Sequence, residues 1–177
     1  MYKGEIIRLR EYRQDDLHQA LAYVNEPETK KNLNPGIPYP YTLEDEKNWL
    51  EMNSATKDIY SFAIETIEDD KYIGGCGVNS IDWKNSVATI GIFIGKEHRG
   101  KGYGTDAFRV LVDFAFNQVN INKLSIRVIS FNKRAIACYK KCGFMVEGTL
   151  RQEVYRDGKY YDNIAMGLLK EEYHNNL

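Results

Sequence analysis

The sequence predicts one mixed α/β (α+β) domain over residues 1–177, built on a twisted, mostly antiparallel sheet flanked by helices. Three observations lead there. Apolar, β-branched runs are separated by tight turns, which is the pattern of hairpins. Two amphipathic segments lie between strands of the second half, as helical crossovers do. The length suits one domain, and 43% hydrophobic with 28% charged residues is an ordinary balance for a chain with a buried core.

Taken in order, residues 5–10 (EIIRLR) form an opening strand, and Asp15 caps a helix in which Leu17, Ala20, Leu21 and Val24 recur at helical spacing. Segment 25–41 (NEPETKKNLNPGIPYPY) holds all four prolines and reads mostly as loop. Thr42 and Asp45 make a capping box, opening a helix that turns Trp49, Leu50 and Met52 inward. Strands at 60–66 and 71–81 flank the acidic turn Glu68-Asp69-Asp70, and DWKNS leads to a strand at 87–95. The next helix places Ala107, Val110, Leu111 and Phe114 on one face. Leu124, Ile126 and Val128 then alternate with Ser125 and Arg127 in a strand. A helix from about 133 stops at Gly143. Strands near 144–148 and 151–156 lead into Asp157-Gly158, a two-residue hairpin signal, before a closing strand at 160–169.

A formal net charge of −1 removes the electrostatic case for nucleic-acid or membrane-surface binding. No signal-peptide pattern opens the chain and no 18-residue apolar run exists, so a cytoplasmic address is expected. Cys76, Cys138 and Cys142 lack metal-like clustering and read as reduced, small hydrophobes; no metal site is expected.

The functional signal lies in TIGIFIGKEHRGKGYGTDAFRVLVDF, residues 89–114. An apolar strand runs through a glycine-rich loop into a helix, which is how backbone N–H groups are gathered around phosphate. A P-loop would need Ser or Thr where Gly102 stands, so the magnesium-binding hydroxyl is missing. A dinucleotide fingerprint would need its third glycine at 105, where Thr105 stands. Arg99-Gly100-Lys101-Gly102-Tyr103-Gly104 fits R-x-x-G-x-G without repair, and closely resembles the pyrophosphate loop of the GNAT superfamily of acetyl-CoA-dependent N-acetyltransferases. About 30 residues on, SFNKRAIACYKKCGF resembles that family's second signature, with Asn132, Ala135, Tyr139, Lys141, Gly143 and Phe144 in place. The stretch GTLRQEVYRDGKYYDNIAMGLL is similar to the branch containing ribosomal-protein and spermidine acetyltransferases.

The resemblance implies a sheet splayed beside Ile92-Phe93-Ile94, whose backbone pairs with the pantetheine of acetyl-CoA. It implies that residues 99–105 (Arg99, Gly100, Lys101, Gly102, Tyr103, Gly104, Thr105) cradle the pyrophosphate, that Asn132 and Ala135 complete the cofactor site, and that Tyr139 protonates the leaving thiolate. Many relatives carry Glu on the strand before the loop; Thr89 stands there, and a threonine cannot act as that base. Glu26, Glu28, Glu65, Asp82 and a water chain are the substitutes, and His98 reads as exposed or touching phosphate. The acceptor is a primary amine: a protein N-terminus, a small amine, or a polyamine. Segment 32–41 carries two tyrosines, Tyr39 and Tyr41, and no acid, which disfavours a polycation; Glu26, Glu28, Glu44 and Asp45 nearby favour one. A non-catalytic CoA-binding sensor is the reading from another class, and assembly with identical copies stays open.

Overall fold

The structure, a computed structural model, describes residues 1–33, 36–53 and 59–175. Strands β1 (Tyr2–Lys3), β2 (Ile7–Arg10), β3 (Tyr60–Thr66), β4 (Tyr72–Asp82), β5 (Val87–Ile94), β6 (Lys123–Ile129), β7 (Met145–Arg156) and β8 (Lys159–Leu169) form one sheet. Their spatial order is β1-β2-β3-β4-β5-β6-β8-β7. Neighbours are antiparallel except β5 and β6, which are joined by helix α4 (Tyr103–Asn117) because parallel strands need a crossover.

That parallel pair is short. Val87, Ala88 and Thr89 pair with Lys123, Leu124 and Ser125, and there the ladder ends. β5 stays paired with β4 as far as Ile94, and β6 with β8 as far as Ile129. From Ile90 onward the two strands diverge, leaving the outer edge of β5 facing a gap. This is the expected splay beside Ile92-Phe93-Ile94.

The two faces of the sheet differ by strand alternation. Ala88, Ile90, Leu124, Ile126 and Val128 are buried in one core cluster with Phe108, Leu111 and Phe116 of α4 and Tyr139 of helix α5 (Lys133–Lys141). Each fully buried Phe or Leu there contributes ~1.5–3 kcal/mol. The alternate residues Thr89, Gly91, Phe93, Ser125 and Arg127 point to the opposite face. On that side lie helices α1 (Leu17–Asn25), α2 (Pro27–Leu33) and α3 (Leu43–Asn53). Phe93 there nears Gly75 and the Tyr12 hydroxyl, and the Tyr12 ring packs edge-on against Trp49 of α3 at 5.2 Å. Buried charge is paired: Glu65 receives Arg8 and Arg10, while Arg10 also grips Asp16 through two bonds of 2.7 and 2.9 Å.

Several local expectations change. Segment 25–41 contains α2, because Pro27 sits at the first helical position, where its missing N–H costs nothing, and the Glu26 carboxylate accepts the N–H groups of Glu28 and Thr29. Asn34 and Pro35 of that segment lie outside the described residues. Asp16, not Asp15, organises the start of α1 by accepting the Arg13 N–H at 2.8 Å. The Thr42–Asp45 capping box is present, but Met52 faces outward, 74% exposed. The two strands expected at 144–148 and 151–156 are one, β7, with register shifts after Val146 and Leu150. Asp157 and Gly158, with φ of 47° and 80°, make the expected two-residue turn. A closing helix, α6 (Lys170–Asn175), was not signalled by periodicity.

Candidate active site

After Ile94 one 3-10 turn, Lys96–His98, leads into the loop. Gly100 and Gly102 take φ of 76° and 91°, a left-handed conformation that side chains with a Cβ avoid. A Cβ at Gly100 would meet nothing within 4 Å, so the backbone there is open to a ligand. The Gly102 carbonyl accepts the N–H groups of Thr105 and Asp106 at 3.0 and 3.1 Å and starts α4. The Asp106 carboxylate is turned away, accepting the N–H groups of Glu5, Ile6 and Ile7 at 2.8–3.1 Å. The positive end of a 15-residue helix therefore faces the loop without an opposing acid.

A cleft of about 790 Å³ runs from this loop along the gap between β5 and β6. All the anticipated cofactor residues line it except Lys101 and Tyr103. Lys101 is exposed, and Tyr103 packs against the core. The Arg99 side chain reaches α2 instead of the loop interior. Its Nε donates to the Ile94 carbonyl at 3.0 Å, Nη2 donates to Thr29 Oγ1 and Glu26, and Nη1 lies 3.1 Å from Glu28. What the loop itself turns toward the cleft is therefore backbone rather than this guanidinium. Burial alone would raise the Glu26 pKa; the N–H groups of Thr29 and Glu28, with Arg99, hold it at about 2. His98 is not a free titrating group. Its ring sits edge-on between Tyr23 and Tyr103, and desolvation lowers its pKa.

The second signature forms the other wall. Asn132 caps α5, its Oδ1 accepting the Ala135 N–H at 3.2 Å, which leaves its Nδ2 for a ligand. Tyr139 is buried against Phe108 at 4.8 Å and borders the cleft. Burial, and then the Cys138 and Cys142 thiols, raise its pKa, so the hydroxyl stays protonated. Cys138 also borders the cleft and accepts a hydrogen bond from Thr105 Oγ1 at 3.6 Å. A hydrogen bond from Cys142 draws the Cys138 pKa down to about 7 despite burial.

At the far end, where the strands part, Thr89 and Ser125 stand side by side on the α1–α3 face. The β4 register shift between Val78 and Ser80 throws Asn79 out of the ladder and beside Gly91. Asn32 of α2 borders the same space, with its Oδ1 buried and unpartnered. Asn32, Asn79, Ser125, Arg127 and Arg134 were not singled out as site residues by the sequence; only the alternation of Ser125 and Arg127 away from the apolar face hinted at two of them. Among the described residues no Asp or Glu lines the cleft, whereas Arg99, Arg127, Arg134 and Lys141 do. Every carboxylate offered as a substitute base is committed elsewhere. Glu26 and Glu28 hold Arg99, Glu65 holds Arg8 and Arg10, and Asp82 binds Asn85.

This architecture can be set beside known proteins. The family profile described as acetyltransferase (GNAT) domain matches residues 7–145. The uncharacterized N-acetyltransferase p20 of Bacillus licheniformis is 31% identical over 173 residues, covering 96% of both chains. A spermidine N(1)-acetyltransferase of Vibrio cholerae is 31% identical over 114 residues, 64% of this chain and 65% of that one. The crystal structure of spermidine N-acetyltransferase from Vibrio cholerae, in complex with CoA and spermine, superposes with a TM-score of 0.87 at 25% identity, covering 96% of this chain and 98% of that one. With the glycine loop, the capped α5 and the splayed strands in the order that the two sequence signatures implied, the chain belongs to the GNAT family of N-acetyltransferases.

Proposed function

We propose that this protein transfers the acetyl group of acetyl-CoA to a primary amine by direct attack on the thioester, in the cleft between β5 and β6. The observation that carries this reading is the end of the β5–β6 ladder at Thr89, which leaves the edge of residues 90–94 unpaired between a glycine loop and Tyr139. Acetyl-CoA supplies an activated acetyl thioester. Loop N–H groups and the α4 terminus hold its pyrophosphate, each helix-end contact contributing ~0.3–1 kcal/mol. Asn132 Nδ2 and the backbone of Ile92–Ile94 align the amide-bearing arm. A backbone N–H of that edge stabilises the charge developing on the carbonyl oxygen. The protonated Tyr139 hydroxyl faces the departing sulfur.

The amine enters from the α1–α3 face and receives no carboxylate base. Releasing the proton of an alkylamine of pKa ~10.4 costs ~4 kcal/mol at neutral pH, whereas an α-amine of pKa ~8 needs little help. Neutral side chains, Thr89, Ser125 and Asn79, offer only a hydrogen-bonded water path. This supports an α-amine, such as a peptide N-terminus or a small α-amino compound, over a polyamine. The polyamine reading draws on the spermine bound by the Vibrio cholerae neighbour. Release of CoA thiol on mixing protein, acetyl-CoA and an amine panel decides between them: α-amines are expected to turn over, with spermidine poor. Spermidine as the best acceptor reverses the substrate reading, and no CoA release with any amine refutes the activity.

Cys138 offers an independent check of the cofactor position. At neutral pH iodoacetamide should alkylate Cys138 well before Cys76, which is buried and whose thiol pKa burial raises. Saturating acetyl-CoA should slow the Cys138 reaction at least ~10-fold; mass spectrometry of labelled peptides reads both rates. Unprotected Cys138 would place the cofactor elsewhere.

A further inference from the structure

We infer that the acceptor amine also carries a carboxylate, and that Arg127 binds it. This rests on the amine-acetylating reading above and narrows its substrate class. Four cationic side chains line the cleft and, among the described residues, no acidic one does, so a polycation would meet charge of its own sign. The four cations are not equivalent. Arg99 is bound by Glu26, Glu28 and Thr29, and Arg134 is bound by Glu28 at 2.9 Å. Arg134 and Lys141 belong to α5, the wall of the cofactor side. Arg127 belongs to β6 and points to the α1–α3 face, where the amine must enter.

On that face Arg127 is loosely held. Its contact is a 3.5 Å approach to Glu153, longer than a charge-assisted hydrogen bond, and the Glu153 carboxylate accepts from Asn163 at 2.8 Å. The side chain is 61% exposed. It stands two residues beyond Ser125, ~6.6 Å along the strand from the fork, on the same face. An amine held at the fork beside Thr89 and Ser125 would present a carboxylate on its own α-carbon toward that guanidinium, whose planar pair of donors matches two carboxylate oxygens. The pairing has a chemical consequence. A cation beside the acceptor disfavours its ammonium form, so Arg127 would help release the very proton for which the cleft holds no base.

The test compares kcat/KM, by CoA thiol release, for L-alanine, L-alaninamide and ethylamine, and for two tetrapeptides beginning with Asp or Ala. The amide loses its proton more readily than the free amino acid, so a preference for the free acid cannot arise from proton affinity. Arg127→Gln should lower the ratio of L-alanine to its amide about tenfold, the low end for hydrogen bonds to charged groups. Arg127→Lys should keep part of it. If the Asp-first peptide alone shows the Arg127-dependent preference, the carboxylate is a side chain on a peptide rather than that of a free amino acid. If Arg127→Gln changes neither the L-alanine to alaninamide ratio nor the Asp-first to Ala-first ratio, the inference is overturned and acetyl transfer is left standing. No CoA release with any acceptor overturns the activity, and the inference with it.

Discussion

Gly102→Val is expected to weaken acetyl-CoA binding strongly while the domain stays folded. Gly102 caps α4 with φ 91° and ψ −20°, in a region that a β-branched residue occupies at a cost of about 1–3 kcal/mol. The substituted loop either carries that strain or relaxes and turns its N–H groups off the anion. In the second case, losing even one hydrogen bond to a charged phosphate costs ~1.5–3 kcal/mol. Either route predicts an affinity loss on the order of 10–10²-fold. The added Cβ is 3.7 Å from Ile6, an ordinary contact, so packing tolerates it. Calorimetric titration of acetyl-CoA into variants with unchanged circular dichroism measures the loss, and retained affinity removes the loop from the site. Gly104, although a residue of the same loop signature, should respond differently. It lies inside α4 with no left-handed φ, and a Cβ there sits 3.4 Å from Ile94, so Gly104→Val acts only by crowding and has the smaller effect.

Tyr139→Phe lowers kcat on the order of 10²-fold with acetyl-CoA affinity nearly unchanged. A CoA thiol resembles a cysteine in acidity, pKa ~8.5, so its thiolate leaves fairly well and the donor contributes at the low end of the 10²–10⁴ range. A tyrosine of ordinary pKa ~10 is already a weaker acid than that thiol, and burial raises Tyr139 further, so in the proposed role the hydroxyl acts by hydrogen bonding as negative charge appears on sulfur. Phe preserves the packing on Phe108 and Phe144, so binding should survive. Steady-state and single-turnover rates on any accepted amine measure the effect. Near-wild-type kcat with chemistry rate-limiting refutes the role; a large affinity loss makes Tyr139 a binding residue.

Much of the fold was legible because its determinants are local. Period-two alternation marks β6, apolar runs bounded by turns mark β3, β4 and β5, Asp157-Gly158 dictates its turn, and Thr42 with Asp45 dictates a helix start. The helix α2 was hidden because proline density was read as loop, although Pro27 opens a helix as readily as other prolines end one. The wall proposed for the cofactor was legible for a different reason: its residues fall in two contiguous signatures. The wall proposed for the acceptor is not contiguous. Asn79 reaches it through a register shift, Ser125 and Arg127 through a crossover, and Asn32 through α2. Only the folded chain brings these together. Likewise, Arg99 was read as a loop residue because its partners, Glu26 and Glu28, stand some 70 positions earlier, and no local pattern reports such a pairing.

The helix α2 touches both sides of the split sheet. Glu26, Glu28 and Thr29 hold Arg99 beside β5, while Glu28 holds Arg134 of α5, and Lys31 pairs with Asp157 and offers its carbonyl to Arg156 on the β7–β8 hairpin. On one margin of the cleft the halves are joined by backbone hydrogen bonds between β5 and β6; on the other they are joined largely through charge. Dissolved ions leave the first almost untouched and weaken the second, whose screening length shrinks from about 10 Å at 0.1 M to about 3 Å at 1 M. Added salt is therefore expected to loosen the exposed part of this margin, Lys31–Asp157 and Arg134–Glu28, before it touches the largely buried Arg99–Glu26 pair or the sheet.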